Sequence, residues 1–179
     1  MAAVKAAARK AAFARRKPLF DAANASQAGY LSEVLAGYRG VPLSGFLPIR
    51  TEIDPRPAMA EAAAHGPVGV PVIMGAAQPL RFSRWTPDTP LVDGAFGAQI
   101  PAVEDFFDPE IVIVPLLAFN RTGGRLGYGG GFYDRLFALV GGLRLGVGFA
   151  LQRVSDWESE AHDQRLDGFL SEEGLTLFG

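Results

Sequence analysis

Three short apolar runs, the first two dense in β-branched residues, constrain this chain most: Val68 to Met74, Ile111 to Leu117 and Leu143 to Phe149. None alternates apolar with polar residues. A strand with one wet face needs that alternation and a strand covered on both faces does not, so these runs read as central strands of a largely parallel sheet. Helical patterns lie between them. The combination predicts an α/β class fold, a three-layer α/β/α sandwich with helices on both sides of the sheet. Pro71 and Pro115 fall within two of the runs. Proline cannot donate to a ladder, so each is expected at a strand edge, end or bulge.

The remainder is read around that sheet. A length of 179 residues suits one continuous core, and residues 1–179 are taken as a single domain. From Val4 to about Arg16 the pattern is helical, with Lys5 and Arg9 one turn apart on one face and Val4, Ala8 and Phe13 available for packing. Pro18 is expected to set its end. Further helices are expected around Gln27 to Leu35 and near Pro57 to Ala64. A short Phe46–Leu47 strand is placed among the breakers Gly40, Pro42, Gly45 and Pro48. The stretch from Gln78 to Pro109 carries five prolines and is expected to wrap over the sheet as a long functional or packing loop.

Composition serves here to exclude. With 49% hydrophobic residues and a formal charge of −2, the chain is expected to be compact and has no feature that demands a nucleic-acid partner. The absence of cysteine removes disulfides, thiolate metal sites and thiol nucleophiles. No apolar run approaches the ~20 residues of a membrane span, and no secretory core opens the chain. A cytoplasmic monomer acting on small molecules, without membrane or nucleic-acid partners, is the expectation. The basic series Lys5, Arg9, Lys10, Arg15, Arg16 and Lys17 lies in an alanine-rich segment without serine, which favours an amphipathic helix over a transit peptide.

The segment with the most chemical content runs from Arg125 to Arg135, RLGYGGGFYDR, and leads into an apolar helix. Four of its five positions from Gly127 to Gly131 are glycine. Glycine frees positive φ and lets backbone N–H groups converge, and a following helix N-terminus adds a positive field, so a phosphate suits the loop. A tight connection alone explains one or two glycines but not four beside Arg125 and Arg135. The loop lacks the Gly-Lys-Ser/Thr ending of a P-loop and a correctly spaced G-x-G-x-x-G, and no G-x-S-x-G serine elbow is present.

Val114 to Asn120 followed by Gly124 to Arg135 resembles the signature of the 5-formyltetrahydrofolate cyclo-ligase family. Three weaker motifs follow in family order: the pair Lys5 and Arg9, the segment Phe46-Leu47 through Glu52-Ile53, and Ala161-His162-Asp163 with Leu166-Asp167. The resemblance implies a fold related to the sugar-phosphate isomerase and CoA-transferase group. It also implies ATP-driven closure of 5-formyltetrahydrofolate to 5,10-methenyltetrahydrofolate, releasing ADP and phosphate, with Mg2+ as cofactor and ATP as cosubstrate. Residue by residue, it implies catalytic roles for Arg125 and Tyr133. ATP would be bound by Lys5, Arg9, Arg125, Leu126, Gly127, Tyr128, Gly129, Gly130, Gly131, Phe132 and Tyr133. Folate would be bound by Leu47, Glu52, Tyr128, Gly129, Gly130, Gly131 and Phe132, and the metal by Asp134 and Asp163, carboxylates being suited to a hard cation. His162 is read as structural or surface-exposed. Asn120 stands where the family often has aspartate, and Phe132 where it often has tyrosine. Two other readings stay open: an enzyme of the same broad fold acting on a sugar phosphate or acyl-CoA, and a binding regulator without turnover.

Overall fold

In the computed structural model, which describes residues 2–21, 29–155, 157 and 159–179, the three apolar runs do form the middle of a sheet. In chain order the elements are α1 (Ala2–Asp21), α2 (Gly29–Ala36), β1 (Leu43–Ser44), α3 (Arg56–Ala63), β2 (Val68–Val72), β3 (Arg81–Arg84), β4 (Leu91–Asp93), β5 (Gln99–Pro101) and β6 (Phe106–Phe107). They continue as β7 (Ile111–Pro115), β8 (Ala118–Phe119), β9 (Arg125–Leu126), α4 (Phe132–Leu139), β10 (Leu143–Val147), β11 (Gly168–Ser171) and β12 (Gly174–Leu177). The main sheet has the order β12-β11-β10-β7-β1-β2-β3-β6. Its five central strands, β11 to β2, are parallel, and β12, β3 and β6 extend it antiparallel.

Both faces are covered, as the unalternating runs require. Along β7, Ile111 and Ile113 enter one core with Leu31, Leu35 and Met59 of α2 and α3, while Val112 and Val114 enter the other with Leu136 and Phe137 of α4. The three-layer α/β/α arrangement is therefore present. Pro115 closes β7. Pro71 lies inside β2, but the two-residue β1 pairs only as far as Gly69, so the donor missing at Pro71 costs no ladder bond on that side.

Four local expectations need correction. Helix α1 passes through Pro18 and ends at Asp21. Its last turn keeps Leu19 against the main core and pairs Lys17 with Asp21 at 2.8 Å, so the helix continues one turn beyond the donor that proline removes. Val4 is exposed rather than packed, whereas Ala8, Ala12 and Phe13 contact a third cluster built on Leu117, Leu126 and Trp157. The strand expected at Phe46–Leu47 forms at Leu43–Ser44 instead, because the pairing partners Val68 and Ile111 fix its register. Gln78 to Pro109 is not one loop but holds four short strands, two of which widen the main sheet. The expected start of α2 at Gln27 lies outside the described residues. No described helix is long and apolar enough to cross a membrane.

The strand order fixes where a ligand can sit. From β1 the chain crosses to β2 on one side, while β7 and β10 build on the other, so the order reverses between β1 and β7. A crevice opens outside the carboxyl ends of strands at such a switch point. The segments leaving β1 and β7, Gly45 to Ile53 and Leu116 to Gly131, are the ones that border it.

Candidate active site

A cavity of about 470 Å³ occupies this switch point. It is lined by all the residues proposed from sequence: Lys5, Arg9, Leu47, Glu52, the run Arg125 to Asp134, and Asp163. Four distant stretches thus converge. Its apolar wall comes from Phe46, Ile73, Leu80 and Ile100, the last two supplied by the proline-dense region.

The Gly-rich loop is presented by a hairpin. Strands β8 and β9 pair antiparallel, and Asn120 closes their turn by accepting from the N–H groups of Thr122 at 3.0 Å and Gly124 at 2.8 Å. Its amide nitrogen donates to Ser159 Oγ at 3.2 Å. An aspartate would supply the acceptor but not the donor, which is the use of asparagine at this position. Beyond β9, Gly129 and Gly131 take φ of 100° and 68°, the left-handed region, and Gly131 is the residue from which α4 starts. A side chain at Gly129 would also meet the Arg9 guanidinium, 3.3 Å from the ideal Cβ position.

Helix α1 lies across this loop. Arg9 Nε donates to the carbonyl of Gly127 at 2.9 Å. One turn earlier, Lys5 Nζ lies 3.1 Å from Asp163 Oδ2 and 3.2 Å from Glu160 Oε2. These carboxylates raise the Lys5 pKa even though burial, the largest single influence, works the other way. His162, exposed as expected, approaches the same acids at 3.1 and 3.6 Å. Glu160, His162 and Asp163 can each turn one ligand atom to within 4.8 Å of the others. Asp134 lies beside the same segment, accepting from the Gln164 N–H at 3.1 Å and lying 3.7 Å from Arg125.

Arg125 and Tyr133 form the deepest polar part of the wall. The guanidinium stands 5.2 Å from the Tyr133 ring centre. Burial lowers the Arg125 pKa while Asp134 opposes it, and burial raises the Tyr133 pKa. Arg125 Nε and the Tyr133 hydroxyl are both buried without a hydrogen-bond partner among the described residues. Buried donors are seldom left so in a finished site, and these two belong to side chains that line the cavity.

Glu52 is 4% exposed and accepts from the Ile49 N–H at 2.9 Å and the Tyr128 hydroxyl at 2.8 Å. Burial raises its pKa, against those bonds and the charges of Arg16 and Arg50. The sequence reading missed three participants. Arg16 reads as one more cation in a basic run yet is 1% exposed. Arg50, a cavity residue with φ of 53°, holds its guanidinium 5.6 Å from the Tyr128 ring centre. Glu160 has no motif of its own. Only its place three residues before Asp163 could have marked it.

Comparison with known proteins points to one family. The 5-formyltetrahydrofolate cyclo-ligase family model matches residues 3–172. A 5-formyltetrahydrofolate cyclo-ligase of Haemophilus influenzae is 34% identical over 92 residues, covering 47% of this chain and 49% of that protein. One from Mycolicibacterium smegmatis is 36% identical over 78 residues, 41% of this chain and 37% of that protein. The chain thus spans about half the length, or less, of the curated relatives it matches. A 5,10-methenyltetrahydrofolate synthetase structure from Aquifex aeolicus superposes with a TM-score of 0.79 at 24% identity, covering 97% of this chain and 92% of that one. One from Mycoplasma pneumoniae gives 0.70 at 17% identity, with coverages of 94% and 98%.

Proposed function

The chain belongs to the 5-formyltetrahydrofolate cyclo-ligase family, and from that premise we propose that it closes 5-formyltetrahydrofolate to 5,10-methenyltetrahydrofolate at the expense of ATP. The observation that carries this reading is the convergence of the Gly-rich loop, the Lys5 and Arg9 helix face, Glu52 and two carboxylates on one cavity. A phosphate clamp and a heterocycle pocket are both needed, and this convergence supports both.

In this reading the formyl oxygen attacks the γ-phosphorus of ATP and ADP leaves. N10 then adds to the activated formyl carbon and loses its proton, and phosphate departs with the former formyl oxygen. The protein has little covalent work to do. Its contribution is to position two ligands and to neutralise the charge on the transferring phosphoryl group. Lys5, Arg9 and Arg125 supply that charge, and the free Nε of Arg125 and the Tyr133 hydroxyl supply two hydrogen bonds. Glu52 accepts from the donor-rich edge of the pterin, and Leu47 packs beside it.

The carboxylates fit Mg2+. Asp134 and Asp163 both line the cavity with hard oxygen donors, and the Lys5 ammonium paired with Asp163 is consistent with a cation beside that carboxylate. Asp134 and Asp163 would hold Mg2+, which would supply further positive charge against the phosphates. Lys5 would turn from Asp163 toward the phosphates.

Purified protein mixed with ATP, Mg2+ and 5-formyltetrahydrofolate should develop the near-ultraviolet absorbance of the methenyl product. No ATP-dependent signal from folded protein overturns the proposal.

A further inference from the structure

Arg16 is the largest side chain in the interior that no part of the reaction has used. It is 1% exposed, on α1, two turns beyond Arg9. Its Nε donates to Thr51 Oγ1 at 2.8 Å, Nη1 to the Leu116 carbonyl at 3.1 Å, and Nη2 to the Tyr128 hydroxyl at 3.0 Å. Among the described residues no carboxylate forms a direct ion pair with it. A buried guanidinium without a countercharge is costly, so the location of that countercharge matters. The nearest is one bond removed, because the hydroxyl that receives Nη2 passes on to Glu52 Oε1 at 2.8 Å.

The direction of this chain is forced. Arginine has only donors, so the Tyr128 oxygen accepts from Arg16 and its single proton must point elsewhere. Glu52 is where it points. The other oxygen, Oε2, accepts from the Ile49 N–H at 2.9 Å. Each carboxylate oxygen therefore meets one donor from the protein, which favours the ionised form and leaves a second lone pair on each oxygen for a further donor.

We propose that Arg16 is a positioning residue for the folate pocket: by donating to the Tyr128 hydroxyl it turns that hydroxyl's proton onto Glu52 and keeps Glu52 an ionised acceptor for the substrate's N–H edge. The substrate named here rests on the cyclo-ligase reading, whereas the relay itself does not. The electrostatics run the same way. Burial pushes the Glu52 carboxyl up, and Arg16 is among the groups that pull it back. The groups facing Glu52 are Arg16 from α1, Arg50 from its own segment, Tyr128 from the Gly-rich loop and Tyr133 from α4. Arg50 is exposed to solvent and screens more easily, so the buried Arg16 exerts the steadier influence.

Two cuts test the relay in the full chain. Arg16→Met keeps the stem and removes the charge. Tyr128→Phe leaves Arg16 with its bonds to Thr51 and Leu116 and removes only the hydroxyl, so it stands in should Arg16→Met fail to fold. The first measurement is ligand-free: the carboxyl 13C titration of Glu52, assigned by its loss in Glu52→Gln. Both variants should raise its midpoint by about one pH unit or more, a tenfold change in proton affinity. The second is the dissociation constant for 5-formyltetrahydrofolate against pH. The acid-side loss of affinity should move to higher pH by the same amount, and Arg16→Met should add nothing once Glu52→Gln is present. A midpoint that moves in neither variant overturns the relay, and so does full additivity with Glu52→Gln. Wild type that binds no folate at any pH overturns the cyclo-ligase reading instead.

Discussion

Glu52 carries opposing demands on one carboxyl: burial favours its protonated form, and the ligand role assigned to it requires the ionised one. Two measurements separate them. Glu52→Gln removes a charge-assisted acceptor worth roughly 1.5 to 3 kcal/mol, so folate binding should weaken by about tenfold or more while ATP binding persists. Unchanged folate affinity, measured by calorimetry, removes Glu52 from the pocket. For stability the sign is reversed. An acid whose folded pKa is raised binds more protons folded than unfolded, so its favourable contribution is present below the unfolded value and is lost as pH rises through the folded one. The stability advantage of wild type over Glu52→Gln, from denaturant melts, should therefore shrink as pH rises from the ordinary carboxylate range. Asp134 poses a different choice. It lies in the first turn of α4, where a negative charge is worth only ~0.3 to 1 kcal/mol. Asp134→Asn also takes the facing charge from the buried Arg125, so it should cost more than that in stability, and it should raise the magnesium needed for half-maximal methenyl formation. Superimposable magnesium curves would rule out the metal role. Gly129→Val forces a β-branched residue to φ of 100° beside Arg9, so nucleotide affinity should fall whether or not magnesium is present. Equal affinity by equilibrium binding would count against the loop.

Among elements, α1 has the most to do for the least packing. It buries only Ala12 and Arg16 fully, and it is held over the cavity by polar contacts at Lys5, Arg9 and Arg16. Removing the first ten residues should abolish ATP-dependent turnover while circular dichroism shows the sheet intact. Full turnover in that truncation would defeat the phosphate-clamp role. How far the sequence revealed such elements depended on the kind of signal. The strands β2, β7 and β10 were legible because burial on both faces leaves an unbroken apolar run. The Gly-rich loop was legible because its conformational need is local. Strands β3 to β6 were not, since they are short, lie in a stretch that proline makes look irregular, and β3 meets β6 only through the tertiary pairing of Phe82 with Phe107. Arg16 was hidden for the same reason. Its spacing in α1 shows a helix position, but only tertiary contact shows that this position is interior, whereas Lys5 and Arg9 could be assigned through a family motif.

The molecule as a whole depends on β7. Ile113 and Val114 are fully buried on opposite faces, and the strand joins β1 to β10. Ile113→Ala should cost about 2 to 5 kcal/mol in a urea melt, far more than any change on the cavity rim. A smaller loss would mean that the two cores can relax around the gap. The reversal of strand order has a further consequence in time. Strand β1 is only two residues long, and one of its two neighbours, β7, follows roughly 70 residues later, so loop closure taxes the middle of the sheet before its contacts can compensate. Helix α1 waits longer still: it precedes every other described element, yet apart from Thr51 its polar partners outside the helix lie at Leu116 to Tyr128 and at Glu160 and Asp163. In pulse-labelled hydrogen exchange during refolding, its amides should gain protection after those of β7 and β10. The segment that leads the chain is thus the last to find its place, and competence to bind nucleotide should arrive as a late, separate kinetic phase.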